Sequence, residues 1–420
     1  MSIAAIEEVE RKGQLAVDAS LLLAQAGSLS KNKALGAIAA ALKENEAAIL
    51  EANALDVAGA RSRGVAEAMV ERLTLSSKRI DGMCEGLLDV QRLTDPIGVV
   101  IGGATRPNGL QITKLRVPLG VIGIIYESRP NVSVDAGALC LKSGNAAILR
   151  GGSEAINSNI ALVETMRGAI ESVGLPRDAV QLIENTDRAA ARRLMTLNGF
   201  VDCLIPRGGA SLIRTVVENA TVPVIETGTG NCHVYVDKSA DLDKALAISI
   251  NAKVQRPSVC NSAETLLVHR DIASTFLPEI GAALIGAGVE IRGDEVVCRT
   301  IPQAKIAAES DWYEEYNALI IAAKVVDNLN EAVEHITKYG TKHSEAIITE
   351  DYRSAQEFTD RIDAAAVYVN ASTRFTDGFQ FGMGAEIGIS NQKLHARGPM
   401  GLEELTTYKY VVRGDGQILQ

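Results

Sequence analysis

The chain has no closely spaced cysteine pair. Its six cysteines, at positions 84, 140, 203, 232, 260 and 298, are scattered over 420 residues. That pattern excludes a disulfide framework and zinc-ligand spacing, and it fits a reduced, cytoplasmic protein. The histidines (233, 269, 335, 343 and 395) form no HExxH or HxH, so no metal site is expected. No apolar run approaches the roughly 18 residues of a membrane span. The opening MSIAAIEEVERKGQ is charged early and lacks an apolar core, so neither a signal peptide nor a transit peptide is expected. Cationic excess is missing as well. A formal net charge of −10 argues against general nucleic-acid binding. An anionic ligand must then be held by a local cluster of Arg, Lys and backbone N–H groups, because the global field opposes it. No G-x-G-x-x-G follows a strand and no G-x-x-x-x-G-K-[ST] is present, which removes the usual dinucleotide fingerprint and the P-loop. Internal repeats and low-complexity linkers are absent.

What is present is a regular alternation. Residues from about 5 to 95 read as helices, with Leu35, Ile38, Ala39, Leu42, Ile49 and Leu50 at helical spacing and Lys43, Glu44 and Glu46 outside. Val99–Tyr126 is extended in pattern, with turn chemistry at Pro107-Asn108-Gly109, and suggests a long hairpin that runs on into a buried strand, VIGIIY. A helix is expected from Asn131 to near Gly144. Then come strands AAILR (146–150), VQLI (180–183), VDCLI (201–205) and PVIE (223–226), with helices between them. A second series runs through HVYVD (233–237), TLLVH (265–269), ALIIAAKVV (318–326), EAIITE (345–350) and AVYVN (366–370). Strands alternating with helices mean parallel sheets covered on both faces. The tail, TTYKYVV included, reads as an outlying strand or arm.

Ligands of open α/β sheets bind beyond the carboxyl ends of strands. Arg129 and Asn131, Arg150, Arg207 and Glu226 all stand at such ends, which points to a crevice there. PRGGAS (206–211) follows a strand and opens a helix, so its N–H groups suit a phosphate, though an ordinary Gly-rich turn looks the same. Arg129-Pro130 and Arg256-Pro257 place arginines on stiffened backbone, ready for a phosphate, a carboxylate or a structural ion pair. Asn131 offers an amide that polarises a carbonyl, or a helix N-cap. Glu226 is a general base, a ribose ligand or a salt-bridged strand end. Cys140, Cys203 and Cys232 lie in apolar runs and read as small buried hydrophobes. Cys260 differs. It sits between two elements, flanked by Ser258, Asn261 and Ser262 and four residues after Arg256. Those are the surroundings of an activated thiol.

The segments Tyr126–Ala155, Pro206–Ile213, Glu226–Asp241, Val254–His269, Asp311–Ile320, His343–Glu350 and Val367–Val411 resemble, in order and across nearly the whole chain, the aldehyde dehydrogenase superfamily. The resemblance implies an aldehyde dehydrogenase-like α/β fold of two parallel-sheet domains plus a hairpin and tail oligomerisation arm. Residues 1–105 and 120–230 would form the NADP-binding domain, 231–385 the catalytic domain, and 106–119 with 386–420 the arm of a homo-oligomer. It accounts for the missing fingerprint, since this superfamily binds its dinucleotide without one. Within the superfamily the likeness is to the branch that reduces L-glutamyl 5-phosphate with NADPH to L-glutamate 5-semialdehyde, the second step of proline biosynthesis. Glutamate 5-kinase would then be a separate chain and a transient partner. Carried across, Cys260 becomes the nucleophile, with Asn131 in the oxyanion hole and Glu226 at the place of the general base in oxidising relatives. Arg129, Arg256, Ser258 and Asn261 surround the substrate phosphate. Arg150, Arg207, Gly208, Gly209 and Glu315 fall at cofactor positions.

Overall fold

The structure is a computed structural model and describes residues 3–419. The described residues divide into two compact units, 3–226 with 382–388 and 400–419, and 227–381 with 389–399. The first break falls at Glu226/Thr227. Residues 389–399, expected in the arm, belong instead to the second unit, where Ile389–Ser390 pairs with Gly398–Pro399.

In the first unit the helical N-terminus is as expected. Its 3.6-residue pattern is split by Asn45 into helices Ser28–Glu44 and Glu46–Ser62, and Leu35, Ile38 and Leu42 are wholly buried. The hairpin forms β1 (Val100–Thr105) and β2 (Gln111–Pro118). The tail strand Thr406–Arg413 pairs antiparallel with β2. Hairpin and tail thus share one three-stranded sheet, which begins at Val100 and not at residue 106.

The four-stranded parallel sheet of this unit contains β3 (Val121–Tyr126), β4 (Ala146–Arg150), β5 (Val180–Leu182) and β6 (Cys203–Arg207), in the order β5-β4-β3-β6. Every residue of β3 and β4 is buried, which explains their unbroken apolar runs. The expected strand 201–205 lies two residues further on. PVIE is no full strand; it makes one bridge, Leu204 to Val224. The chain builds outward from β3 to β5 and returns to place β6 on the other side of β3. Such a reversal opens a crevice at the carboxyl ends of the two diverging strands.

The second unit has a seven-stranded sheet. Its strands are β7 (Cys232–Val236), β8 (Ala263–His269), β9 (Glu290–Gly293), β10 (Lys305–Ile306), β11 (Ile320–Val326), β12 (Ser344–Ile348) and β13 (Ala366–Val369). They run in the order β10-β9-β11-β8-β7-β12-β13, all pairs parallel. Side chains alternate between faces. Val234, Val236, Leu266 and Val268 pack with Phe276 and Leu277 of helix Arg270–Gly286. Tyr235, Leu267 and Ile347 pack with Phe358 on the opposite face. No described helix is long and apolar enough to cross a membrane.

Candidate active site

In the first unit the crevice ends of β3 and β6 are tied together. The Glu127 N–H donates to the Arg207 carbonyl at 3.2 Å, and the Glu127 carboxylate accepts from the Gly209 N–H at 3.0 Å. A Cβ at position 208 would lie 2.4 Å from that carboxylate, so any larger residue there would push the Glu127 side chain off the turn. The Arg207–Gly209 turn leads into helix Ala210–Asn219, and its Gly209 N–H already holds one carboxylate oxygen. That donor set fits a dinucleotide phosphate. Between Glu127 and Arg129, Ser128 takes φ +52°, a costly conformation for a residue with a Cβ. Glu154 holds it there, its Oε1 accepting from both the Ser128 N–H (2.9 Å) and Oγ (3.1 Å). Arg129 is exposed at the tip.

Asn131 is the first residue of helix Asn131–Lys142, and its side chain does not cap that helix. One amide N–H instead goes to Asp135 Oδ2 at 2.9 Å, one turn along. Asp135 was not singled out in the sequence, although its i+4 spacing from Asn131 was visible there. Burial pushes its carboxyl up to about 6, against the pull of Asn131 and Arg207. A carboxyl raised on folding binds its proton more tightly in the folded state. Its stabilising contribution is full below the ordinary carboxyl range and is lost as pH rises through about 6. Asp135→Asn should therefore lose less stability than the wild type between about pH 4 and pH 7, by about 2 kcal/mol in urea unfolding. Parallel losses in the two proteins would show that the carboxylate is not desolvated.

Arg150 departs from the expected cofactor position. It is 7% exposed, and its guanidinium donates to the Gly151 carbonyl and, at 3.1 Å, to the Thr186 carbonyl. A guanidinium buried against two backbone carbonyls ties the β4 end to the following loop and has little to offer a ribose. Glu226 is half-buried at the last residue of the unit's first segment.

In the second unit Cys260 is half-buried on the turn between helix Leu242–Val254 and β8, so it lies at the amino end of a strand, not the carboxyl end. Gly228–Asn231, before β7, and Thr341–His343, before β12, share that end of the sheet. The Cys260 carbonyl accepts from Cys232 Sγ at 3.2 Å, and Gly230 presses against it. Glu315 Oε1 accepts the Gly230 N–H at 2.6 Å, while Glu314 is exposed. Glu315 thus braces the loop beneath the cysteine. At the ends of the nucleophile segment, Lys253 and Glu264 form a wholly buried pair at 2.5 Å. Burial pushes Glu264 up and Lys253 down, and the attraction between them opposes both shifts.

Arg256 and Ser258 are exposed on the same segment. Asn261 is not available to a phosphate. Its Nδ2 donates to the carbonyls of Arg374 (3.3 Å) and Thr376 (2.9 Å), and only its buried Oδ1 is left without a partner. With both amide hydrogens committed, Asn261 is a structural clamp. Cys84, Cys140, Cys203 and Cys232 are all buried. Burial raises each of these thiols, Cys203 to about 12. Among the described residues no group of His, Cys, Asp and Glu could hold a metal ion.

The model of the aldehyde dehydrogenase family matches residues 2–293. A gamma-glutamyl phosphate reductase of Moorella thermoacetica is 61% identical over 413 residues, 98% of this chain and 99% of the relative. One from Carboxydothermus hydrogenoformans is 62% identical over 413 residues, 98% of this chain and 100% of its own. Among solved structures, the gamma-glutamyl phosphate reductase of Thermotoga maritima superposes with a TM-score of 0.97. It is 54% identical and covers 98% of this chain and 100% of its own.

Proposed function

The chain belongs to the aldehyde dehydrogenase family, and from its likeness to that family's gamma-glutamyl phosphate reductases we propose that it reduces L-glutamyl 5-phosphate to L-glutamate 5-semialdehyde and phosphate, with NADPH, in proline biosynthesis. The observation that supports this most is Cys260. It is half-buried on a turn clamped at both ends, while the four buried cysteines are held as thiols by burial.

The Cys260 thiolate attacks the acyl carbon. A C–S bond forms, the bond from carbon to the phosphate oxygen breaks, and phosphate leaves with the electron pair. Arg256, on the Cys260 segment, offsets the charge of the departing group. NADPH, when bound, supplies the hydride that reduces the Cys260 thioester. Asn131 has a second amide N–H besides the one given to Asp135, which suits it to stabilise the oxyanion; such a donor contributes on the order of 3 kcal/mol. The C–S bond then breaks, returning the electrons to Cys260 and releasing the semialdehyde. No water is activated on this route, so Glu226 has no step in it. Arg207 and the backbone N–H groups of Gly208 and Gly209 would hold the cofactor phosphates.

The reverse reaction tests the proposal. With glutamate semialdehyde and NADP⁺, reduction of NADP⁺ should require inorganic phosphate and should not occur with coenzyme A in its place. Turnover with coenzyme A, or without phosphate, would assign the chain to another activity of the family.

A further inference from the structure

Arg129 and Arg256 are the arginines expected at the substrate phosphate; Arg374 is a third candidate that only the folded chain reveals. Arg374 lies 114 residues beyond Cys260 in sequence, on the short turn Thr373–Phe375 that follows β13. The structure fastens this turn to both flanks of the nucleophile. On the far side of Cys260, Thr373 Oγ1 donates to the Asn261 carbonyl at 2.7 Å. The Asn261 amide returns two bonds, to the carbonyls of Arg374 and Thr376. On the near side, Arg374 Nε donates to Gln255 Oε1 at 2.9 Å. Beneath, Thr376 Oγ1 bonds the Ser344 hydroxyl at 2.6 Å and the Tyr368 hydroxyl at 2.7 Å, and both Thr373 and Thr376 are wholly buried. Such a mount holds a side chain within the narrow tolerance that ligand recognition needs.

The charge placed on this mount lacks a carboxylate in the contacts that fix it. Gln255, which takes the Arg374 Nε, is neutral. Asp377, the acid close by, turns its carboxylate to the backbone N–H groups of Phe379 (2.9 Å) and Gln380 (3.3 Å). Arg374 is half-buried, and burial, then the neighbouring Arg256 cation, lower its basicity; Cys260 and Asp377 act in the opposite sense. Two guanidinium groups therefore share the field around one thiol. In a chain of net charge −10, such a local excess is what binding an anion requires. A guanidinium presents two parallel N–H groups that match the oxygens of a carboxylate or a phosphate.

We propose that Arg374 is a substrate-anion residue, mounted on the Cys260 loop to pair with an oxyanion of the acyl substrate and so to select acidic acyl groups. The inference rests on the function proposed above, whose substrate carries two such oxyanions, the α-carboxylate and the acyl phosphate. Both offer the same paired oxygens, and kinetics separates them.

The test uses the full-length wild type, Arg374→Gln and Arg374→Lys in the reverse assay. The KM for phosphate is measured at saturating semialdehyde, and the KM for semialdehyde at saturating phosphate. Arg374→Gln should raise one of the two at least ~10-fold, a loss typical of one charge-assisted pair, with a smaller change in kcat and an unchanged KM for NADP⁺. Arg374→Lys should recover part of the loss. A rise in the phosphate constant assigns the acyl phosphate, and a rise in the aldehyde constant assigns the α-carboxylate. Both constants within twofold of wild type in Arg374→Gln would overturn the inference while the wild-type turnover left the function standing. If the wild type itself shows no phosphate-dependent turnover, it is the function that fails. A second readout needs no turnover: Cys260 alkylation by anionic iodoacetate relative to neutral iodoacetamide, followed on the Cys260 peptide by mass spectrometry. That ratio should fall several-fold in Arg374→Gln and partly return in Arg374→Lys. An unchanged ratio would overturn the inference even where the variant is too slow to assay.

Discussion

Cys260→Ala should abolish turnover in both directions, by at least ~10⁴-fold, the scale on which removal of a covalent nucleophile acts. No other thiol can replace it. Cys84, Cys140, Cys203 and Cys232 are buried. Cys298 is half-buried, but its Sγ donates to the Gly293 carbonyl at 3.5 Å from a helix outside the Cys260 loop. The fold should barely respond. The substitution removes one half-buried sulfur, and the backbone carbonyl that accepts from Cys232 stays in place. Stability should change by less than about 1 kcal/mol. The two readouts are phosphate-dependent NADP⁺ reduction by the variant and its urea midpoint. A variant within 100-fold of wild type would end the thioester route. A variant that lost activity only because it had unfolded would show in the midpoint.

The parts of this molecule that local pattern determines were legible in the sequence. Ala146–Arg150 was read to the residue, because a run buried on both faces and bounded by Gly and Asn has one interpretation. The five strands read in the second series lie within about two residues of β7, β8, β11, β12 and β13, while the short β9 and β10 of the same sheet carry too little apolar pattern to be read. What failed depended on distant partners. PVIE has strand composition, yet it meets β6 only around Leu204, in one bridge to Val224 flanked by bonds to Pro223 and Ile225. Asn261 looked like a ligand because it adjoins a nucleophile; its role is set by carbonyls 113 and 115 residues away. Arg374 was overlooked for the converse reason, since nothing near it in sequence is catalytic. Glu315 carries a contact that the sequence could not show, its bond to the Gly230 N–H. Arg150 was drawn outward by analogy with strand-end ligands, whereas the local carbonyls hold it in. Polar residues around a site are thus the least legible, since one side chain serves a ligand or a backbone carbonyl equally well and only tertiary contacts decide.

Gly230→Ala should cripple the enzyme without touching a reacting atom. An added Cβ would stand 1.4 Å from the Cys260 carbonyl oxygen, 2.3 Å from its carbonyl carbon and 2.8 Å from its Cα. All three are backbone, so no side chain can swing aside. Relief requires one of the two chains to retreat by about 2 Å to reach ordinary contact. Neither is loose. The Gly230 N–H is bonded to Glu315 at 2.6 Å, and the Cys260 segment is held by Asn261, Thr373 and the buried Lys253–Glu264 pair. The strain should cost about 3 kcal/mol of stability. A displacement of even 1 Å at a reacting centre lowers rate by about 100-fold, so the loss here should be 10²-fold or about 10³-fold. Gly286→Ala is the matching control. It lies at the end of helix Arg270–Gly286 in the same unit, and a Cβ there meets nothing within 4 Å. That variant should keep wild-type kinetics and gain a few tenths of a kcal/mol, roughly as helix propensity dictates. Thermal unfolding followed by circular dichroism, alongside the phosphate-dependent assay, separates the two. Wild-type turnover in Gly230→Ala would mean that the packing of this loop on the Cys260 carbonyl is not what positions the nucleophile.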